Sequence, residues 1–75
     1  MADHTVDARG LQCPMPVIKL SQAMMAAGSG ETIELISTDG GSCSDVPAWA
    51  SDMGHALKET FETEDGAFHF VLVKS

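Results

Sequence analysis

Residues 13–16 read Cys13-Pro14-Met15-Pro16 and lie between a strand-like run and a helix-like run. Proline is tolerated in the first turn of a helix, where a backbone N–H has no intrahelical partner. Two prolines within one turn therefore predict a fixed helix start, with Cys13 at or just before it. Because the amides and dipole of a helix N-terminus favour an anion, we expect an exposed, reactive thiol with a lowered pKa.

The periodicity on either side of this segment predicts the element order β-α-β-α-β-β. Strands are predicted at 5–8, 32–37, 58–64 and 67–74, and a first helix from about Pro14 to Ala27. A second helix is expected to begin at Ser44 or Asp45, so that Cys43 lies in a loop and Pro47 in the first turn of the helix. The dipeptide Asp65-Gly66 is a strong two-residue hairpin turn between the last two strands.

The side-chain pattern also predicts which faces are buried. The apolar stripe of the second helix consists of Val46, Trp49, Ala50, Met53 and Leu57. In the last two strands, the residues expected to point inward are Phe61, Phe68, Phe70 and Leu72. Strand–helix–strand crossovers are almost always right-handed, so two successive crossovers place both helices on one face of the sheet. The sequence thus predicts an α/β two-layer sandwich whose uncovered sheet face carries Glu34, Ile36, His69, Val71 and Val73.

Length, composition and charge restrict the class of function. The chain has 75 residues, 44% of them hydrophobic, and a net charge of −7, so a single domain over residues 1–75 is expected. Only four residues are basic, which argues against direct binding to nucleic acid or to an anionic membrane. No run approaches the ~20 apolar residues of a membrane span, and no signal peptide is visible, so we expect a cytoplasmic protein, monomeric in solution.

The two cysteines, Cys13 and Cys43, are expected to be reactive rather than structural, because a reducing compartment disfavours stable disulfides. If the first two strands are parallel, the loops that follow them meet at one edge of the sheet, where chemistry gathers in α/β folds. Cys43 is then a candidate second thiol near Cys13, or merely a small loop residue. Neither the cysteine spacing nor the three separate histidines predicts a metal site, and no cofactor is expected.

Charged residues near the two loops have an ordinary interpretation as solvated side chains. Asp39 and Asp45 flank the second loop, where they cap the helix or contribute to docking; close to Cys13 they would raise the pKa of its thiol. Arg9 and Lys19 lie near Cys13 in sequence, where a cation favours a thiolate and attracts acidic partner surfaces. Met15 is either a gap-filling core residue or an apolar docking contact.

Residues 7–16, Asp7-Ala8-Arg9-Gly10-Leu11-Gln12-Cys13-Pro14-Met15-Pro16, resemble the signature of the TusA/SirA-like sulfur-carrier (sulfurtransferase) family. The resemblance extends through Gly30-Glu31-Thr32, Asp39 and Asp45-Val46-Pro47 to the closing hairpin. Two positions depart from the common family pattern: Gly40 follows Asp39 where many members have proline, and Cys43 is not a general family feature.

The resemblance implies a β-α-β-α-β-β sandwich like the C-terminal domain of translation initiation factor 3. It implies that Cys13 carries sulfane sulfur as a persulfide. It also implies a donor protein, either a cysteine desulfurase or a rhodanese-like protein, and an acceptor protein in tRNA thiolation, molybdenum cofactor assembly or sulfur oxidation. Two alternatives stay open: a thiol–disulfide redox module that uses Cys13 and Cys43, and a non-catalytic regulatory domain.

Overall fold

The chain folds as a mixed four-stranded sheet with two helices on one face, as a computed structural model of residues 2–75 shows. The elements are β1 (His4–Ala8), α1 (Met15–Ala26), β2 (Thr32–Ser37), α2 (Ser42–Met53), β3 (Ala56–Glu62) and β4 (Phe68–Val73). The strand order is β1-β2-β4-β3, with β1 parallel to β2 and β4 antiparallel to both of its neighbours. The predicted fold class, an α+β two-layer sandwich, is confirmed.

The core lies between the sheet and the helices, and it is built by alternation along the strands. In β2, Ile33, Leu35 and Ser37 are buried, whereas the residues between them are partly exposed. The helices and β4 contribute the other large buried apolar residues, which are Leu20, Met24, Val46, Phe70 and Leu72. Full burial of one such side chain contributes roughly 1.5–3 kcal/mol, so this layer is the main source of stability.

Helix α1 begins where the two prolines predict, with Pro14 at the N-cap and Pro16 in the first turn. Its buried residues recur at helical spacing and face the sheet, because apolar residues three to four positions apart share one side of a helix. The helix ends at Ala26, where the chain turns extended at Ala27. Neither α1 nor α2, the helices of the described chain, is long and apolar enough to cross a membrane.

Helix α2 begins at Ser42, before the predicted start at Ser44 or Asp45, and this expectation was wrong. The backbone around Gly40 and Gly41 already turns helically, since the N–H of Ser42 donates to the carbonyl of Asp39 at 3.0 Å. Cys43 therefore lies in the first turn of α2 rather than in a loop.

The rest of α2 also differs from the prediction. Pro47 lies inside the helix rather than in its first turn. The helix ends at Met53, where Gly54 takes the left-handed backbone conformation that glycine allows (φ 79°). Consequently Met53 is exposed and Leu57 belongs to β3 instead of the helical stripe.

Strand β3 contains a bulge that overturns the predicted orientation of Phe61. Leu57 pairs with Leu72, but Glu59 pairs with Val71, so one extra residue is inserted at Lys58. A bulge of this kind reverses the alternation of the residues that follow it. Phe61 therefore lies on the uncovered sheet face and is 43% exposed.

The uncovered sheet face carries the five residues that the alternation predicts. At its centre, His69 Nδ1 lies 2.8 Å from a carboxylate oxygen of Glu34. The imidazole ring stacks on Phe61 with ring centroids 4.7 Å apart. Within residues 2–75, both helices pack on the opposite face of the sheet.

Adjacent methionines on α1 provide a test of the orientation of the helix. Met24 is 2% exposed and Met25 is 80% exposed. We expect Met24→Ala to lower the free energy of unfolding by about 2–5 kcal/mol, because it leaves a cavity in the core. The matched control Met25→Ala should change it by less than about 0.5 kcal/mol. Urea denaturation of both variants measures this; equal losses would mean that α1 does not face the sheet as described.

Candidate functional site

The parallel pairing of β1 and β2 brings two loops to the same edge of the sheet. The register runs from His4 opposite Ile33 to Ala8 opposite Ser37, so both strands end at the same level. The loops are joined directly, since the backbone N–H of Gly10 donates to Thr38 Oγ1 at 2.8 Å. The loop after β1 leads to Cys13, and the loop after β2 leads into α2.

Two aspartates of the second loop and of α2 contact Cys13. The backbone N–H of Cys13 donates to Asp39 Oδ2 at 2.8 Å. The Cys13 thiol donates to Asp45 Oδ2, also at 2.8 Å. Both residues were predicted from sequence as neighbours of the second loop, and the structure brings them onto the cysteine itself. Cys13 is exposed and forms no disulfide.

Asp39 is fixed by its own loop. Its backbone N–H donates to Ser37 Oγ at 3.1 Å, and its Oδ1 accepts the N–H of Gly41 at 3.3 Å. The hydroxyls of Ser37 and Ser42 share a buried hydrogen bond of 2.8 Å beneath the loop. This buried polar pair ties the end of β2 to the start of α2, which holds the carboxylate of Asp39 in place.

Gly41 provides the space in which the two carboxylates converge. A Cβ atom at this position would lie 3.3 Å from Asp39 Oδ2 and 3.7 Å from Asp45 Oδ2. Both oxygens are thus within van der Waals range of one point, at the N-terminus of α2. A helix N-terminus favours negative charge, so α2 stabilises the pair of carboxylates.

The start of α1, by contrast, offers few backbone donors to the sulfur. Pro14 and Pro16 have no N–H, and the N–H of Met15 donates to the carbonyl of Gln12 at 2.8 Å. A lowered pKa of Cys13, as expected from the sequence, would need unpaired amides in this turn. The same two prolines that fix the helix start remove two of those amides.

The predicted lowering of the Cys13 pKa is therefore wrong. The hydrogen bond to Asp45 raises the pKa of the Cys13 thiol above its ordinary value, with further contributions from partial loss of hydration and from the charges of Asp45 and Asp39. Each of these effects disfavours the thiolate, because a carboxylate stabilises the S–H that it accepts and repels a second anion. The contact with Asp45 thus favours the thiol form of Cys13 over the thiolate.

The cations near Cys13 in sequence do not offset these aspartates. The Arg9 guanidinium forms two hydrogen bonds of 2.9 Å with Asp7 and lowers the pKa of that carboxyl to about 2. Lys19 is exposed on α1, and Met15 is 40% exposed in the first turn. Thus Arg9 is engaged by Asp7, while Met15 and Lys19 are accessible on the helix that Cys13 precedes.

Cys43 is directed away from Cys13. It lies two residues before Asp45 on α2, and such positions are about 200° apart around a helix. Asp45 faces Cys13, whereas Cys43 lines a groove of about 370 Å³ between α2 and the β3–β4 hairpin, together with Pro47 and Phe70. The two thiols therefore lie on different sides of α2, and both are free.

Comparison with known proteins identifies the family of this chain and supports the fold. The family model "Sulfurtransferase TusA" matches residues 4–74. The chain belongs to the TusA family. Sulfur carrier protein TusA of Allochromatium vinosum is 41% identical over 73 residues, which cover 97% of this chain and 95% of the relative. Putative sulfur carrier protein YrkI of Bacillus subtilis is 40% identical over 65 residues, covering 87% and 84% of the two chains.

The fold is also shared with a solved TusA/SirA-like structure. The SirA-like protein of Desulfitobacterium hafniense superposes with a TM-score of 0.84 at 28% identity, covering 93% of this chain and 95% of that one. The predicted family is confirmed by these matches.

Sequence reasoning missed the residues that support the site of this TusA family member. Ser37 occupies an inward position of β2, where the alternation predicts an apolar residue. A serine there needs a buried hydrogen-bond partner, which the structure shows to be Ser42. The role of Gly41 had no such signal, since it depends on how closely the two carboxylates approach. Within residues 2–75, no group of three or more His, Cys, Asp or Glu side chains is placed to hold a metal ion.

The separation of the thiols predicts the outcome of oxidation. We expect treatment of the reduced monomer with a thiol oxidant such as diamide to produce no internal disulfide, because Cys43 and Cys13 face different sides of α2. Intact-mass spectrometry of dilute protein, with Cys43→Ser as the single-thiol control, provides the measurement. A monomer that loses two hydrogens in the wild type, but not in the control, would contradict the described geometry.

Proposed function

We propose that this protein is a sulfur carrier that accepts sulfane sulfur on Cys13 as a persulfide and passes it to a partner protein. The observation that carries the proposal is the exposed thiol of Cys13, which forms no disulfide and lies at the entrance to α1. The family supports it, since the relatives from Allochromatium vinosum and Bacillus subtilis bear the name sulfur carrier or putative sulfur carrier.

The reaction requires only two sulfur–sulfur exchanges. The Cys13 sulfur attacks the outer sulfur of a donor persulfide, the donor S–S bond breaks, and the donor cysteine leaves with the electron pair. Cys13 then holds S–SH, and the proton of its thiol ends on the donor cysteine. The second step repeats the exchange with Cys13 as the donor. No external oxidant or reductant is consumed, because sulfane sulfur is transferred at constant oxidation state.

Attack on sulfur held by another protein requires docking around Cys13. Met15 and Ile18, 40% and 41% exposed, lie on the first turns of α1 beside the thiol. Exposed apolar side chains next to a reactive group are suited to a partner interface. We assign docking to this surface, together with Lys19, Asp39 and Asp45; Arg9 contributes less, because Asp7 already holds it.

The donor is proposed to be a cysteine desulfurase or a rhodanese-like protein, and the acceptor a protein of a sulfur-using pathway. We place this exchange in the cytoplasm, the location that the sequence predicts. Catalysis in this account consists of the transfer itself, so turnover is measured with a donor and an acceptor present.

Single-cysteine variants provide the test. After incubation with a persulfidated donor protein, such as a cysteine desulfurase loaded with sulfur, we expect Cys43→Ser to gain the mass of one sulfur atom and Cys13→Ser to gain none. The physical reason is that Cys13 alone lies at the exposed loop edge, while Cys43 borders the groove on the other side of α2. Intact-mass and peptide mass spectrometry locate the added sulfur.

Two controls complete that experiment. Dithiothreitol should remove the added mass, since a persulfide is reducible whereas an oxidised sulfinic acid is not. Sulfur retained by Cys13→Ser at the level of the wild type would show that Cys13 is not the carrier residue.

A further inference from the structure

The proposed transfer requires a thiolate or a nascent thiolate at Cys13, and the site opposes it. Asp45 Oδ2 accepts a hydrogen bond from the Cys13 S–H at 2.8 Å, and Asp39 Oδ2 accepts one from the backbone N–H of Cys13. The charged groups that act on the sulfur are these two carboxylates, both negative. Arg9, a cation of the first loop, is engaged by Asp7. Among residues 2–75, the charges that act on the Cys13 sulfur are therefore negative, whereas a developing thiolate needs positive charge.

We propose that Asp45 is a positioning residue that holds the Cys13 S–H in the free carrier, and that a cationic side chain of the docked partner releases the sulfur by pairing with this carboxylate. The proposal rests on the sulfur-carrier function and adds the chemistry of the partner: a lysine or arginine presented at Cys13.

The two aspartates have different tasks. Asp39 accepts two backbone N–H groups, those of Cys13 and Gly41, and so maintains the shape of the loops. Asp45 contacts the sulfur itself. Among residues 2–75, its carboxylate accepts a hydrogen bond from the Cys13 thiol alone. Asp45 is only partly buried, so a side chain from outside reaches it.

Charge complementarity favours a cationic partner group. The carrier has a net charge of −7, which steers basic surfaces towards it. An arginine or lysine at Asp45 forms a charge-assisted hydrogen bond that competes with the weaker S–H donor. As the Cys13 sulfur then attacks the donor's outer sulfur, its proton passes to the donor cysteine that leaves. The cation at Asp45 cancels the repulsion that the carboxylate exerts on the forming charge.

Thiol-specific reagents of opposite charge test this directly. In a Cys43→Ser background, the rate constants of Cys13 are measured with a cationic and an anionic methanethiosulfonate of similar size. We expect the cationic reagent to react at least about tenfold faster, since the Asp45 carboxylate lies 2.8 Å from the sulfur and the Asp39 carboxylate contacts the backbone N–H of the same residue. Asp45→Asn should reduce this ratio severalfold. The matched control Asp52→Asn, on the exposed far end of α2, should retain it.

A neutral reagent separates the role of Asp45 at the sulfur from a merely structural one. The pH profile of alkylation by iodoacetamide should move to lower pH in Asp45→Asn, because the carboxylate that raises the pKa of Cys13 is gone. The groups that determine this profile are Asp45 and Asp39, and Asp52→Asn should leave it unchanged. A loss of packing alone would not shift the midpoint in this direction.

Repeating the charge-ratio measurement at high salt, without the Asp45 substitution, gives a test that does not depend on correct folding of the variant. Exposed charges are screened over a Debye length of about 3 Å at 1 M salt, so the cationic preference should fall towards unity. A charge ratio and pH profile in Asp45→Asn equal to those of the wild type would overturn the proposal, as would a salt-independent wild-type ratio. Persulfide loading of Cys13 is measured separately. Loading that persists while the Asp45 tests fail would reject the role of Asp45 and leave the carrier function in place. An absence of loading would reject the carrier function, whatever the Asp45 tests show.

Discussion

The parallel pairing of β1 with β2 is the constraint on which the site depends. It aligns Ala8 with Ser37, so that the chain leaves both strands at one edge of the sheet. A slip of this register by one residue would reverse the inward and outward faces of β1 and separate the loops. This register brings Asp39 and Asp45 within hydrogen-bonding distance of Cys13, although they lie 26 and 32 positions from it in the sequence.

The consequence is a reactive residue that is exposed but restrained. An exposed cysteine with a lowered pKa would react with any electrophile or disulfide in solution. Here the two carboxylates raise the pKa of the Cys13 thiol, while α2 stabilises those carboxylates at its N-terminus.

Much of the fold follows from the sequence, since strong local signals coincide with the periodicity. Strand β2 begins and ends at the predicted residues, and Pro14 and Pro16 fix the start of α1. Phe61 was misplaced because the bulge at Lys58 has no local signature and depends on pairing with β4. The start of α2 was misplaced because the helical turn at Gly40 and Gly41 depends on hydrogen bonds from the preceding loop.

The chemistry of the site was only partly predictable. The identity of Cys13 as the exposed thiol at the helix entrance could be inferred from sequence alone. The sign of its pKa shift could not, since the prolines that mark the helix also remove amides from its first turn. The effect of a close aspartate was foreseeable in principle, but the distance from Asp45 to the sulfur is a property of the assembled loops.

The environment of Cys13 favours its thiol over the thiolate, and an NMR titration of the Cys13 Cβ carbon in the wild-type protein tests this most directly. We expect a single titration with a midpoint above that of an unperturbed cysteine, at low ionic strength. A midpoint below the unperturbed value, with the thiolate dominant at neutral pH, would contradict it.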